Sequence, residues 1–164
     1  MKRLFSPWRS QYIATFKHKT KSKGCLFCAM AKSRDDDKHL ILARRKYCFV
    51  VMNLYPYNSG HLMIVPYRHT KLVGRLTKNE SSEIMETTAD MIDALTRVVK
   101  PQGFNFGANF GRTAGAGIDT HIHFHVVPRW NGDTNFMPVL ADVKMISEEI
   151  RTTYRKLKQS LKQS

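Results

Sequence analysis

The stretch that most constrains this 164-residue chain is Thr120-His121-Ile122-His123-Phe124-His125-Val126-Val127-Pro128-Arg129. Successive side chains of a β-strand point to opposite faces. Read as a strand, the segment puts His121, His123 and His125 on one face and Ile122, Phe124 and Val126 on the other. The apolar partners are β-branched or aromatic, as strands favour, and Pro128 is the expected end. One face is then for packing and the other for chemistry. Neighbouring histidines on one face stand roughly 6.5–7 Å apart and the outer two about 13 Å, too far to share one ion easily. A division of labour is more economical: the central imidazole attacks phosphorus, and its neighbours fix its tautomer or hold other groups. The bland alternative, a histidine-rich strand without chemistry, fits poorly with strict alternation followed by Pro-Arg-Trp.

A formal net charge of +14 makes nucleic acid and polyphosphates candidate ligands. Much of the excess, however, lies in Lys17 to Lys23 and Arg151 to Lys162, runs that read as solvated faces, so nucleic acid is not favoured. The length is that of one domain. Without a long apolar run or a signal-peptide pattern, the expectation is a soluble, cytoplasmic protein with no membrane association. Cysteine usage fits a reducing compartment, because Cys25 and Cys28 form a Cys-x-x-Cys pair and Cys48 lies in a strand-like run.

Taken in order, Pro7 to Ile13 can form a short helix capped by Ser6, and Lys17 to Gly24 a basic loop. The Cys25–Cys28 pair can offer two thiolates to one zinc; a redox pair is the alternative, without the βαβ setting that role usually has. Arg34 to Lys38 reads as a solvated turn. His39 to Arg44, Tyr47 to Met52 and His61 to Val65 read as strands, the last two joined as an antiparallel hairpin. Asn79 to Lys100 is the main helix, with Asn79 as cap and Pro101 as stop. Its stripe is Ile84, Thr88, Met91, Ile92, Leu95, Val98 and Val99, and Met85 and Met91 read as core. Gly103 to Phe110 alternates as a strand. It runs into Gly111 to Ile118, whose glycine backbone can approach phosphate oxygens and makes a candidate cradle. A last amphipathic helix starts near Asp142 or Ser147, with Val143, Ile146, Ile150, Tyr154, Leu157 and Leu161 at helical spacing.

His-Ile-His-Phe-His-Val-Val resembles the signature of the histidine triad (HIT) superfamily. Asn53 to Pro66 is similar to that family's strand–turn–strand nucleotide pocket, and Phe5 to Arg9 and Gly24 to Cys28 extend the likeness. In all it covers about Phe5 to Pro138. The resemblance implies an α+β, HIT-like fold: an antiparallel sheet of about five strands, one long helix and a C-terminal helix. It implies one domain, with residues 1–24 as N-terminal helix and basic loop, 25–138 as core and 139–164 as C-terminal helix. His123 matches the family's nucleophile, which attacks the α-phosphorus of a nucleotide to give a covalent nucleotidyl-histidine. His125 matches the donor to a phosphate or leaving-group oxygen, and His61 a supporting histidine. Asn53 matches a ribose contact; Asn109, Gly115, Ala116 and Gly117 match nucleotide- and phosphate-binding positions. Zinc-bearing relatives imply a structural site at Cys25, Cys28, His69 and His121. The long helix contributes to a dimer in the family, so a homodimer is expected.

Many HIT hydrolases carry Gly-Gln-Ser/Thr before the triad, but Ala114 to Thr120 contains no Gln. The glycine loop, the triad and Pro128 to Met137 together look like the diadenosine tetraphosphate phosphorylase branch, which discharges the intermediate with inorganic phosphate. Hydrolysis of dinucleoside polyphosphates or adenylylated small molecules is the second expectation. A nucleotide- or nucleic-acid-binding module is the third, and a metal-dependent hydrolase with the triad as ligands the fourth.

Overall fold

The computed structural model describes residues 24–133 and 148–163. The expected N-terminal helix at Pro7 to Ile13, the basic loop as far as Lys23, and the stretch around Asp142 and Val143 lie outside the described residues. Five strands form one antiparallel sheet, in which the last strand of the sequence lies between the third and the fourth. They are β1 (Ile41–Arg44), β2 (Cys48–Met52), β3 (Leu62–Pro66), β4 (Gly103–Gly107) and β5 (Phe124–Arg129). Helix α1 (Leu26–Lys32) and a helical turn α2 (Asp36–His39) precede the sheet. Helix α3 (Lys78–Val99) joins β3 to β4, and α4 (Ile150–Lys162) follows β5. This is the expected α+β arrangement.

Alternation sorts the two faces. Val50, Met52, Leu62, Ile64 and Val126 point to one side, where they pack with Ile84, Met91 and Leu95 of α3 and Leu157 of α4. Phe49, Val51 and Val65 point to the other, beneath Phe27 and Met30 of α1. His125 stands between Phe124 and Val126 and so projects to this second side, away from α3. The long helix thus covers the back of the sheet, opposite the face that carries His125.

The cap of α3 is Thr77, not Asn79. Thr77 Oγ1 accepts the Glu80 N–H at 3.2 Å, while Glu80 Oε2 accepts the Thr77 N–H at 2.7 Å. This is a capping box, and its Thr-x-x-Glu signal was present in the sequence. Met91 is buried but Met85 is 57% exposed, correcting its reading as core. It lies one helical step, about 100°, beyond the Ile84–Thr88–Met91–Leu95 stripe. The helix ends as expected before Pro101, with Lys100 in the left-handed region at φ 47°, a conformation in which helices commonly stop.

Several strand ends differ from expectation. β5 starts at Phe124, so His121 and His123 precede the ladder rather than lie within it. The Ile122 N–H instead bonds the Thr70 carbonyl at 2.6 Å, because β3 pairs only as far as Phe124. Pro128 sits inside β5. Its carbonyl accepts Asn58 Nδ2 at 3.0 Å, on the side where β3 has already ended, so its missing N–H breaks no ladder bond. β4 stops at Gly107 rather than Phe110, and His39 belongs to α2. The Arg34–Lys38 segment is largely exposed, as a solvated turn should be, and is also tied down: Asp35 Oδ1 accepts the Lys38 N–H and Asp36 pairs with Arg44 at 2.8 Å. Gly60, at φ 76°, is required. A Cβ there would stand 3.0 Å from Leu95 and 3.3 Å from Pro128, which fixes the approach of the 53–60 loop to β5.

Candidate active site and metal centre

The first cluster joins four residues from three segments. Cys25 is the N-cap of α1 and Cys28 lies in its first turn, so one turn of helix presents both sulfurs in the same direction. His69 follows β3, and His121 precedes β5. Cys25 Sγ and Cys28 Sγ stand 3.3 and 3.6 Å from His121 Nδ1. His69 Nδ1 is 3.3 Å from Cys28 Sγ and 3.3 Å from His121 Nδ1. A tetrahedral ion with bonds of about 2.3 Å to sulfur and 2.0–2.1 Å to nitrogen would give edges of roughly 3.3–3.6 Å. The donor set therefore fits a four-coordinate metal ion. His121 supports the assignment through its far nitrogen: Nε2–H donates to the Pro66 carbonyl at 2.9 Å, which leaves Nδ1 as a lone pair facing the sulfurs. Burial, and then the neighbouring Cys25, push the Cys28 thiol up. A bound cation offsets that cost by stabilising the thiolates.

The second cluster starts two residues on. His123 Nδ1–H donates to the His121 carbonyl at 3.0 Å, and Nε2 is left with its lone pair. Burial pushes this imidazole below its ordinary range, so it is neutral at physiological pH. Phe27 packs against both His121 and His123, with ring centroids 5.6 and 5.0 Å away, and so couples the two clusters.

His125 belongs to a directed chain of donors. The Tyr57 N–H donates to His61 Nδ1 at 2.9 Å. Asn53 Nδ2 approaches the same nitrogen at 3.3 Å, its Oδ1 being occupied by the Tyr55 N–H. With Nδ1 accepting, the fully buried His61 carries its proton on Nε2 and donates to His125 Nδ1 at 2.9 Å. His125 is thereby forced to carry its proton on Nε2. That atom is buried and has no partner among the described residues. Burial and then the nearby His123 push the His125 pKa down to about 4, so the ring is neutral at pH 7. An oriented, unsatisfied buried N–H is a costly feature in a resting protein and a useful one beside an anionic ligand.

A cleft of about 330 Å³ opens beside His125, between Tyr57, Asn105, Asn109 and Arg129. Gly107 pairs directly with His125 across the ladder and leaves this wall without a side chain. Asn109 Nδ2 reaches the Tyr57 hydroxyl at 3.5 Å. Asn53, the expected ribose contact, is turned onto His61 and Tyr55. Gly115 adopts φ 93° and backs Asn109, the amide nitrogen lying 3.7 Å from where its Cβ would be. The N–H groups of Ala114, Gly115 and Ala116 bond the Gly111 and Arg112 carbonyls at 2.9–3.2 Å. The loop's expected donors thus face inward at Gly115 and Ala116.

Sequence reasoning missed Phe27 and Tyr57. Phe27 sits between the two cysteines, and that placement was the available signal. Tyr57, whose ring lies 4.7 Å from His61 and 5.8 Å from His125, was signalled only by the likeness of Asn53 to Pro66 to a nucleotide pocket. Also missed was Asp133, which takes Arg129 Nε at 2.7 Å and Asn58 Nδ2 at 2.6 Å and so stiffens the far wall.

Among the described residues no helix is long and apolar enough to cross a membrane. A family model described as the HIT domain matches residues 34–132, more than half of the chain. An AP-4-A phosphorylase of Mycobacterium tuberculosis is 40% identical over 161 residues, covering 96% of this chain and 83% of that protein. An adenosine 5′-monophosphoramidase of Schizosaccharomyces pombe is 25% identical over 133 residues, covering 77% of this chain and 95% of that one. In fold the chain is similar to a zinc-bound histidine triad family protein from Mycobacterium smegmatis, with TM-score 0.68 and 23% identity over 87% of this chain and 96% of that one.

Proposed function

The chain belongs to the HIT domain family, and from that premise we propose that it is a nucleotidyl transferase acting at the α-phosphate of dinucleoside polyphosphates, discharging its intermediate with inorganic phosphate. The observation that carries the catalytic part is the paired orientation of two imidazoles: His123 with Nε2 stripped of its proton, and His125 with an unpartnered Nε2–H. His123 Nε2 attacks the α-phosphorus, the phosphorus–oxygen bond to the leaving nucleotide breaks, and a nucleotidyl-histidine remains. His125 Nε2–H donates to a phosphate oxygen as charge develops on it, and being neutral and pre-aimed it needs no reorganisation. His61 positions His125. Asn109 and the glycine loop at Gly115, Ala116 and Gly117 flank the nucleotide, and Asn53 acts through His61 or on the ribose. A phosphate oxygen then attacks the same phosphorus, the phosphorus–nitrogen bond breaks, and a nucleoside diphosphate leaves.

The preference for phosphate over water rests on the M. tuberculosis relative, which the chain matches over nearly its whole length, and on the absence of Gln from Ala114 to Thr120. Zinc is the metal proposed for Cys25, Cys28, His69 and His121. When bound it supplies a rigid cross-link between α1, the segment after β3 and the segment before β5. The metal-dependent hydrolase reading loses support, since of the triad only His121 joins the metal cluster. A single domain, a homodimer and a reducing, cytoplasmic setting for cysteines without a disulfide complete the proposal; Met85, exposed on α3, supports the dimer.

The deciding experiment is product analysis of the purified protein with diadenosine tetraphosphate, with and without phosphate. ADP plus ATP only when phosphate is present is the expected result. AMP plus ATP without phosphate would make the protein a hydrolase, the second reading, for which the S. pombe relative speaks.

A further inference from the structure

A second and larger cleft, about 680 Å³, lies on the other side of the same turn that bounds the catalytic one. Asn109 lines the catalytic cleft and the next residue, Phe110, lines the second, so the two adjoin at one peptide bond. The walls of the second cleft are Lys71 to Arg75 on one side and Phe110, Gly111 and Asp119 on the other. Three apolar side chains there are exposed: Leu72 at 50%, Val73 at 53% and Phe110 at 54%. Two cations flank them. Among the described residues neither Lys71 nor Arg75 is paired with a carboxylate, whereas Asp119 is neutralised by Arg112 at 3.0 Å. The 71–75 wall is fixed at both ends. His69 of the metal cluster precedes it, Thr70 is tied to Ile122, and the Thr77 capping box follows.

An apolar floor, one free aromatic face and two unpaired cations suit a ligand with a flat ring at one end and phosphates at the other. A mononucleotide substrate would need only the cleft at His125. We infer that the Lys71–Arg75 and Phe110 cleft binds the distal nucleoside of a dinucleoside polyphosphate while the adenylyl half reacts at His123. The base stacks on Phe110 against Leu72 and Val73, and Lys71 and Arg75 neutralise the distal phosphates. This rests on the catalytic reading above and adds the site that distinguishes a dinucleoside from a mononucleoside substrate.

The test compares diadenosine tetraphosphate with adenosine 5′-tetraphosphate, which keeps the polyphosphate and lacks the distal nucleoside. Both are assayed by steady-state turnover of the full chain. Phe110→Ala is expected to raise KM for the dinucleoside roughly tenfold and for the mononucleoside less than twofold, with kcat held within about twofold for both. Lys71→Ala with Arg75→Ala is expected to raise KM for both substrates, by a factor that shrinks as salt increases. Equal effects of Phe110→Ala on the two substrates, or none on either, overturn the inference and leave the catalytic reading standing. If the unsubstituted protein turns over neither substrate, both fall. Phe110, Lys71 and Arg75 are surface residues, and matching thermal midpoints confirm that the variants fold.

Discussion

His121 and His123 are two residues apart and are held in the same way, by a backbone carbonyl, yet through opposite ring nitrogens. Pro66 O takes the Nε2–H of His121, and Nδ1 is freed toward the two cysteines. His121 O takes the Nδ1–H of His123, and Nε2 is freed. One carbonyl frees the nitrogen that faces two cysteines, as the proposed metal ligand needs, and the other frees the nitrogen proposed to attack phosphorus. The lesson is that the residue type sets what a histidine can do, and the position of one hydrogen-bond acceptor sets which of those things it does. The two clusters are also joined: the carbonyl that orients His123 belongs to His121 of the Cys/His cluster, and Phe27 packs on both rings.

Substituting His123, the proposed nucleophile, separates the roles most sharply. His123→Ala removes the attacking nitrogen and leaves all four cluster residues in place. Turnover of diadenosine tetraphosphate is expected to fall by roughly 10⁴-fold or more, with metal content and thermal midpoint nearly unchanged. Near-normal activity in that variant would break the division of labour. The reverse experiment attacks the metal side. Cys28→Ser leaves three donors, and a loss of about 3 kcal/mol of stability should lower the thermal midpoint by roughly 6–12 °C and abolish stoichiometric zinc. Because His121 O then loosens, kcat should fall as well. A midpoint unchanged by the variant, and equally by a strong chelator on the original protein, would sink the structural role.

The third prediction concerns pH. Burial holds His125 neutral down to about pH 4, against an ordinary value of 6.5. A histidine whose folded pKa is depressed takes up its proton first in the unfolded chain. Stability is therefore complete above about pH 6.5 and declines as pH falls toward 4, by on the order of 3 kcal/mol from this group. In His125→Gln that part of the decline is absent. Parallel stability curves for the two proteins between pH 7 and 4 would show that the ring is not held neutral.

The fold was largely legible because its signals are local. Alternation marked the strands, the Ile84–Leu95 spacing marked α3, and Pro101 marked its end. That Cys25, Cys28, His69 and His121 would come together was legible only through the family motif, since nothing in residue spacing brings Cys25 beside His121. What escaped is non-local. Whether His121 lies in the ladder depends on where β3 stops pairing, and that is decided by a strand sixty residues earlier. Pro128 looks like a terminator until Asn58 is seen to occupy the side its ring leaves empty. The glycine loop promised outward N–H groups, and the chain folds those of Ala114, Gly115 and Ala116 onto its own carbonyls.

The smallest expected effect sharpens the comparison most, because it tests the tautomer logic without touching either freed nitrogen. His61 bonds Tyr57, Asn53 and His125, and its proposed task is to present Nε2–H to His125 Nδ1. In His61→Leu that donor is lost, and the His125 ring can carry its proton on either nitrogen, so only part of the population aims Nε2–H at the substrate. A fall in kcat of roughly tenfold follows, about 1.4 kcal/mol, with KM little changed. His61→Gln supplies an amide N–H at nearly the position of imidazole Nε2, and it should recover most of the loss. A purely structural His61 predicts a different pattern. Both variants would lower the thermal midpoint according to packing alone, with Gln the worse of the two in a fully buried site, and kcat would follow stability. Recovery by Gln with a lower midpoint than Leu therefore separates the two accounts in a single pair of proteins.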